Sequence, residues 1–288
     1  MTQGDDMANV GAFANAESRT SWIKVFFIGL GVYFLSLFVM IFTSNTNLFP
    51  TVVLIGNFLV PVTYIAFFYE RRHLSKLDIP TTASVFLYGG FLGVLASAIL
   101  EPFLVRPSDP FSVLMIGIIE EGVKIAGVMW IVRKRRPVSE VDGLIIGMAA
   151  GMGFAALESM GYTFTEFLTS QGSLSATVGT MLLRGILSPF GHGTWTGILA
   201  SVLFQESSGT TYRITRRVIR AYLFVVLLHA LWDGLPPVVD YLFSSNLSVL
   251  IAQLSIGIAG FVVLWKRWQK AQHTQIKAPE KDAPTTLD

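Results

Sequence analysis

Residues 111–132 read FSVLMIGIIEEGVKIAGVMWIV, and this stretch decides the class of protein. As a helix rising 1.5 Å per residue it is about 33 Å long, enough to cross a hydrocarbon core of about 30 Å. The run is continuous rather than alternating, so it reads as a spanning helix and not as a strand of a barrel. Glu120, Glu121 and Lys124 sit inside it. A charged side chain at the centre of such a helix costs about 2.5–3.5 kcal/mol on insertion scales, so each needs a partner or a task.

The rest of the chain agrees. Of 288 residues, 52% are hydrophobic and 14% charged, against roughly 25% charged in a soluble domain. That excludes an ordinary soluble enzyme and a disordered chain. There is no cysteine, which removes disulfides, Cys-ligated zinc, iron–sulfur clusters and thiol nucleophiles together. The remaining chemistry belongs to histidine, carboxylates, hydroxyls and lysine.

Scanning for apolar runs of spanning length predicts eight helices, at about 23–42, 48–69, 82–100, 111–132, 143–162, 178–205, 221–239 and 247–265. The expected fold is therefore all-α, a polytopic bundle occupying residues 21–268. A polar tail is expected over 1–20 and a flexible one over 269–288. The first apolar segment has no small-residue cleavage site after a short core, so it reads as a span rather than a removable leader. With eight spans, all 21 lysines and arginines except Arg106, Lys124 and Arg184 fall in the tails and alternate loops of one side. The positive-inside rule makes that side cytoplasmic and both termini with it. The expected location is the plasma membrane, with lipid as the surroundings and no nucleic-acid partner.

The sixth span is long and interrupted at its middle by SPFGHG (Ser188–Gly193). Proline removes a backbone donor, and the groups it frees must be satisfied by protein or trapped water, so a helix broken here is expected to line a cavity. In the fifth span Gly147 and Gly151, followed by Gly153, suit close helix packing.

Ionisable groups concentrate in four consecutive spans. They are Glu120, Glu121 and Lys124; Glu158; Arg184 and His192; and His229 and Asp233. Counting residues from the span ends places these histidines and glutamates in one layer near mid-depth. Lys124 is i+4 from Glu120 and i+3 from Glu121, so it can neutralise either. The two glutamates point about 100° apart, which leaves one for the cavity and one held by Lys124 or Arg184. His229 and Asp233 are i, i+4 on one stripe, as metal ligation or orientation of a catalytic histidine requires. Each element also has a plainer reading. Glu121 with Lys124 suits a structural ion pair, Arg184 suits pairing better than substrate contact, and a lone intramembrane histidine suits packing. The conjunction on four adjacent helices favours a site that activates water and stabilises an oxyanion.

At these residues the chain resembles the PrsW family of intramembrane proteases, within the superfamily of CAAX proteases and bacteriocin-processing enzymes. The motifs are EEGVK (Glu120–Lys124), FAALE (Phe154–Glu158), HGTWTG (His192–Gly197) and HALWD (His229–Asp233), in the family's order across a core at about 111–239. Prenyl-processing relatives carry EExxxR, FxxxH and HxxxN, so the lysine spacing, Glu158 and Asp233 favour PrsW. The resemblance implies hydrolysis of a peptide bond in a membrane-anchored protein, such as an anti-sigma factor. It implies Glu120 or Glu121 as general base, with Glu158 in the site and Lys124 and Arg184 supporting. His192, His229 and Asp233 then either bind a divalent metal, with zinc an open question, or hold the water and the oxyanion without a metal, the alternative that the superfamily analogy favours. HExxH is absent. The competing readings are a non-catalytic membrane scaffold, which would lack the paired glutamates, and an ion-coupled transporter, which would show repeated halves.

Overall fold

The computed structural model describes residues 21–277 apart from 73, 74, 76, 107, 108, 110, 134–138 and 208–210. The expected N-terminal tail, Lys76, the basic residues Lys134, Arg135 and Arg136, and residues 278–288 lie outside the described residues.

The chain runs α1 (Ser21–Thr43), α2 (Phe49–Glu70), α3 (Ile79–Ser84), α4 (Gly90–Leu104), α5 (Ser112–Val132), α6 (Glu140–Thr169), α7 (Leu174–Leu187), α8 (His192–Glu206), α9 (Arg216–Phe243) and α10 (Asn246–Lys277). A π-helical turn, Val85–Gly89, joins α3 to α4 into one rod. Polar side chains start several helices. Asp78, Ser139, Ser173 and Thr215 each accept a hydrogen bond from the first-turn backbone N–H of α3, α6, α7 and α9 respectively.

Among the described residues six helices are long and apolar enough to cross a membrane: α1, α2, the α3–α4 rod, α6, α9 and α10. The other two expected spans differ for physical reasons. The fourth is the unbroken α5, which carries three charged side chains, Glu120, Glu121 and Lys124, in its interior. The sixth is two half-helices, α7 and α8, joined by a 3-10 turn at Ser188–Phe190 and by Gly191. The break falls where Pro189 removes a donor. The last helix continues past the expected end of the membrane domain to Lys277. Within that extension Ala271 is buried and the Gln272 side chain donates to the Arg71 carbonyl at 2.6 Å.

The bundle is built around α6. Every residue from Val141 to Ala156 is buried, the signature of a helix enclosed on all sides. Its glycines set the distances. A Cβ at Gly147 would lie 2.6 Å from Ala200 Cβ, and one at Gly151 would lie 2.8 Å from Gly193 Cα, so only glycine lets α6 and α8 touch backbone to backbone. Gly153 faces the other way and meets the backbone of Phe86 in the π-helical turn. The outer helices show the opposite pattern. Phe27, Ile28, Phe38 and Phe42 of α1 point outward, as a lipid-facing surface requires.

Candidate active site

Close packing of α8 on α6 fixes the first residue of α8, His192, against Gly151 in the middle of the bundle. The N-terminal end of a half-helix therefore points at the carboxylates of α5, where its dipole favours negative charge. From the opposite side, Gly117 of α5 lies against Val226 and His229 of α9 and brings His229 to the same point.

Lys124 is the hub. Its side chain is wholly buried, and Nζ donates to Glu120 Oε2 at 3.0 Å, to Glu121 Oε1 at 2.9 Å and to His192 Nδ1 at 2.7 Å. The helical spacing predicts one glutamate in the cavity and the other held by Lys124 or Arg184. The four-carbon stem instead lies over both i−3 and i−4 positions and serves both carboxylates. Arg184 goes elsewhere: Nη2 donates to Glu158 Oε2 at 2.7 Å and Nε to Ser159 Oγ at 3.0 Å. Phe154 packs its ring 3.9 Å from the Lys124 ammonium.

Glu121 and Glu120 are held differently. Glu121, with no exposed surface, accepts from Lys124, from Thr196 Oγ1 at 3.1 Å and from His229 Nδ1 at 3.2 Å. Among the described residues Glu120 accepts only from Lys124, and its Oε2 lies 3.8 Å from both His192 Nδ1 and His229 Nε2. The far nitrogen of each ring is occupied by another carboxylate, His192 Nε2 by Glu158 at 3.2 Å and His229 Nδ1 by Glu121. Since Lys124 donates to His192 Nδ1, that nitrogen is the acceptor, and Nε2–H donates to Glu158. Trp195 fills the space beside both imidazoles, 5.2 and 4.8 Å between ring centroids.

Each site residue named from the sequence has a definite place. Glu120, Glu121, Lys124 and His229, all buried, form one contact group with the half-buried His192. Glu158 and Arg184 adjoin it through His192, and Asp233 adjoins it through His229 Nε2 at 3.3 Å. Thr196 and Ser159 were missed. Thr196 lies one turn after His192 on the same helical face, which the spacing could have revealed. Ser159 carried no such signal. A cavity of about 150 Å³ opens beside His192, lined by Glu158, Arg184, Ser188, Trp232 and Gln253 among others.

The donor set suits a metal ion. Glu120, His192 and His229 offer ligand atoms that all lie within 4.8 Å of one another, and two histidines with a glutamate are a known catalytic zinc set. Both rings carry the carboxylate on the far nitrogen that orients metal-bound histidine. Asp233, named from the sequence beside the two histidines, is replaced in this group by Glu120. Glu120 Oε2 and His192 Nδ1 hold the Lys124 ammonium at 3.0 and 2.7 Å, so a cation bound by those atoms would have to displace it from them.

A model of the PrsW family of intramembrane metalloproteases matches residues 79–265, more than half of the chain and all the residues just described. No curated protein and no solved structure matches.

Proposed function

Because this chain belongs to the PrsW family of intramembrane metalloproteases and is a multi-pass membrane protease, we propose that it hydrolyses a peptide bond in a membrane-anchored protein, with Glu120 as the residue that takes the proton of the attacking water. The observation that supports this is the unequal holding of the two glutamates. Glu121 has three partners and no exposed surface, whereas Glu120 has one partner and faces two imidazoles. A carboxylate fixed on three sides orients; one with a free oxygen can accept a proton.

The remaining residues follow from their contacts. Glu121 holds His229 by Nδ1 and Glu158 holds His192 by Nε2, so both rings present their other nitrogen to the space beside Glu120. Lys124 supplies a fixed positive charge for the oxyanion that forms when water adds to the carbonyl. In the cation-free reaction His229, whose Nε2 also meets Asp233, is placed to return a proton to the leaving amine. Arg184 orients Glu158 beside the cavity where substrate enters. Glu120, His192 and His229 would hold a divalent cation, zinc being consistent with the donors, which when bound would polarise the water or the scissile carbonyl. The substrate class, a membrane-anchored regulator of the anti-sigma-factor type, follows the family resemblance. The distribution of lysine and arginine supports cytoplasmic termini in the plasma membrane.

The test uses purified protein in proteoliposomes with a single-span reporter substrate. Glu120→Gln is expected to lower cleavage by about 10³-fold or more while the variant elutes and melts as the parent does. Full cleavage by a folded Glu120→Gln would overturn the assignment. Loss of activity with a chelator and recovery with zinc would establish the cation; indifference to both would leave Glu120 acting without one.

A further inference from the structure

We propose that one face of α4, the stripe Gly93–Ser97–Glu101, walls a water path from the membrane side bearing the α6–α7 connection down to the buried carboxylates. The three positions are spaced by four and share one helical face. Gly93 lies at the inner end, where a Cβ would sit 2.9 Å from Phe154 Cδ2 and 3.8 Å from Lys124 Cγ, so this face looks onto the hub of the site. Glu101 lies within electrostatic range of Glu120, Glu158, His229 and Lys124, which come from α5, α6 and α9. It stands three residues before the end of α4, while Glu120 stands eight residues into α5 from the same membrane side. At 1.5 Å per residue Glu101 is roughly 7 Å shallower.

Two buried atoms on this stripe make no hydrogen bond among the described residues: Ser97 Oγ and Glu101 Oε1. In hydrocarbon a helical hydroxyl has a ready partner in the carbonyl one turn back, and hydroxyls elsewhere in the bundle use it. Thr43 donates to Val39, Thr63 to Leu59, Ser84 to Pro80 and Ser255 to Ile251. Ser97 does not, although it is 4% exposed. A hydroxyl and a carboxylate oxygen, one turn apart and both unpaired, are what ordered water satisfies. Hydrolysis consumes one water per bond, its hydroxyl going to the acyl carbon and its hydrogen to the amine, and a site enclosed by lipid-facing helices needs a route for it. That purpose rests on the protease reading; the physical path does not.

The absence of native cysteine makes the path measurable without any activity assay. Single cysteines replace Ser97, Glu101, the lipid-facing Ile99 (62% exposed) and, as a marker of side, Gln171 in the α6–α7 connection. Each full-length variant is placed in sealed vesicles and treated with a charged, membrane-impermeant thiol reagent on one side or the other. The reactive thiolate needs water around it. Glu101→Cys and Ser97→Cys are expected to label from the side that labels Gln171→Cys, with Ser97→Cys reacting about tenfold faster than Ile99→Cys and more slowly than Glu101→Cys. Adding Glu101→Leu to Ser97→Cys is expected to slow labelling several-fold by closing the mouth. Ser97→Cys labelling no faster than Ile99→Cys, labelling from the opposite side, or an unchanged rate with Glu101→Leu would each overturn the path. An inactive protease that labels as expected would retain the path and remove only its purpose.

Discussion

Glu121 and Glu158 are both carboxylates within the bundle, each paired with a cation, yet the two pairs sit in different surroundings. Glu121 and Lys124 expose no side-chain surface, and Thr196 and His229 complete the carboxylate's partners. Glu158 and Arg184 are 21% and 29% exposed and border the cavity beside His192. In the deep pair the low surrounding dielectric magnifies both the attraction and the desolvation, so every partner must be present. In the shallow pair water screens part of the interaction. The contrast separates a deep layer with no exposed side-chain surface from a shallow layer that borders the cavity, with His192 bridging them.

The sharpest way to break the comparison is Lys124→Met, which leaves two buried carboxylates without their common cation. Removing one partner of a buried pair costs about 3–5 kcal/mol, so a marked fall in melting temperature and in yield of monodisperse protein is expected. A variant that melts like the parent would show that the deep layer is not electrostatically closed. Next comes Thr196→Val, which keeps the shape and removes one donor to Glu121. A hydrogen bond to a charged group contributes about 1.5–3 kcal/mol, and thermal unfolding should show a loss in that range. Because Glu121 orients His229, kcat should fall more than KM rises.

Arg184→Lys probes the shallow layer. Lysine keeps the charge but cannot donate to Glu158 and Ser159 together as the guanidinium does. The expected outcome is near-parental melting with about a tenfold fall in kcat/KM, equivalent to about 1.4 kcal/mol of transition-state stabilisation. A large loss of stability instead would place Glu158 and Arg184 with the deep layer.

Most of the fold was legible because lipid imposes simple rules. Long apolar runs had to be helices, and the break at Ser188–Gly193 followed from a proline in the middle of one. The pairing of Lys124 with Glu120 and Glu121 was legible for the same reason, since helical spacing alone brings these side chains together. What the sequence did not reveal crosses between helices. His192 meets Lys124, 68 residues away, and Glu158, 34 away; those contacts depend on how closely α6 and α8 approach. The glycines that allow the approach were visible, but the partner helix was not. The π-helical turn at Val85–Gly89 was likewise hidden, because it answers the backbone of Gly153 rather than any local preference. Glu101 falls just beyond the third expected span, at about 82–100, and only its neighbours distinguish it from an interfacial charge.

The smallest effect belongs to the surface that touches neither layer. Phe38 of α1 is 62% exposed and stacks on Phe42, itself on the lipid-facing side. In water, truncating an exposed aromatic would change little. In a bilayer the ring exchanges protein contact for acyl-chain contact of similar polarity, so no hydrophobic driving force is lost between helices. Phe38→Ala is therefore expected to alter melting by no more than about 0.5 kcal/mol and to leave cleavage of the reporter at the parental rate. A fall comparable to that of Arg184→Lys would mean that α1 carries an interface, and that the boundary between scaffold and site extends to the outermost helix.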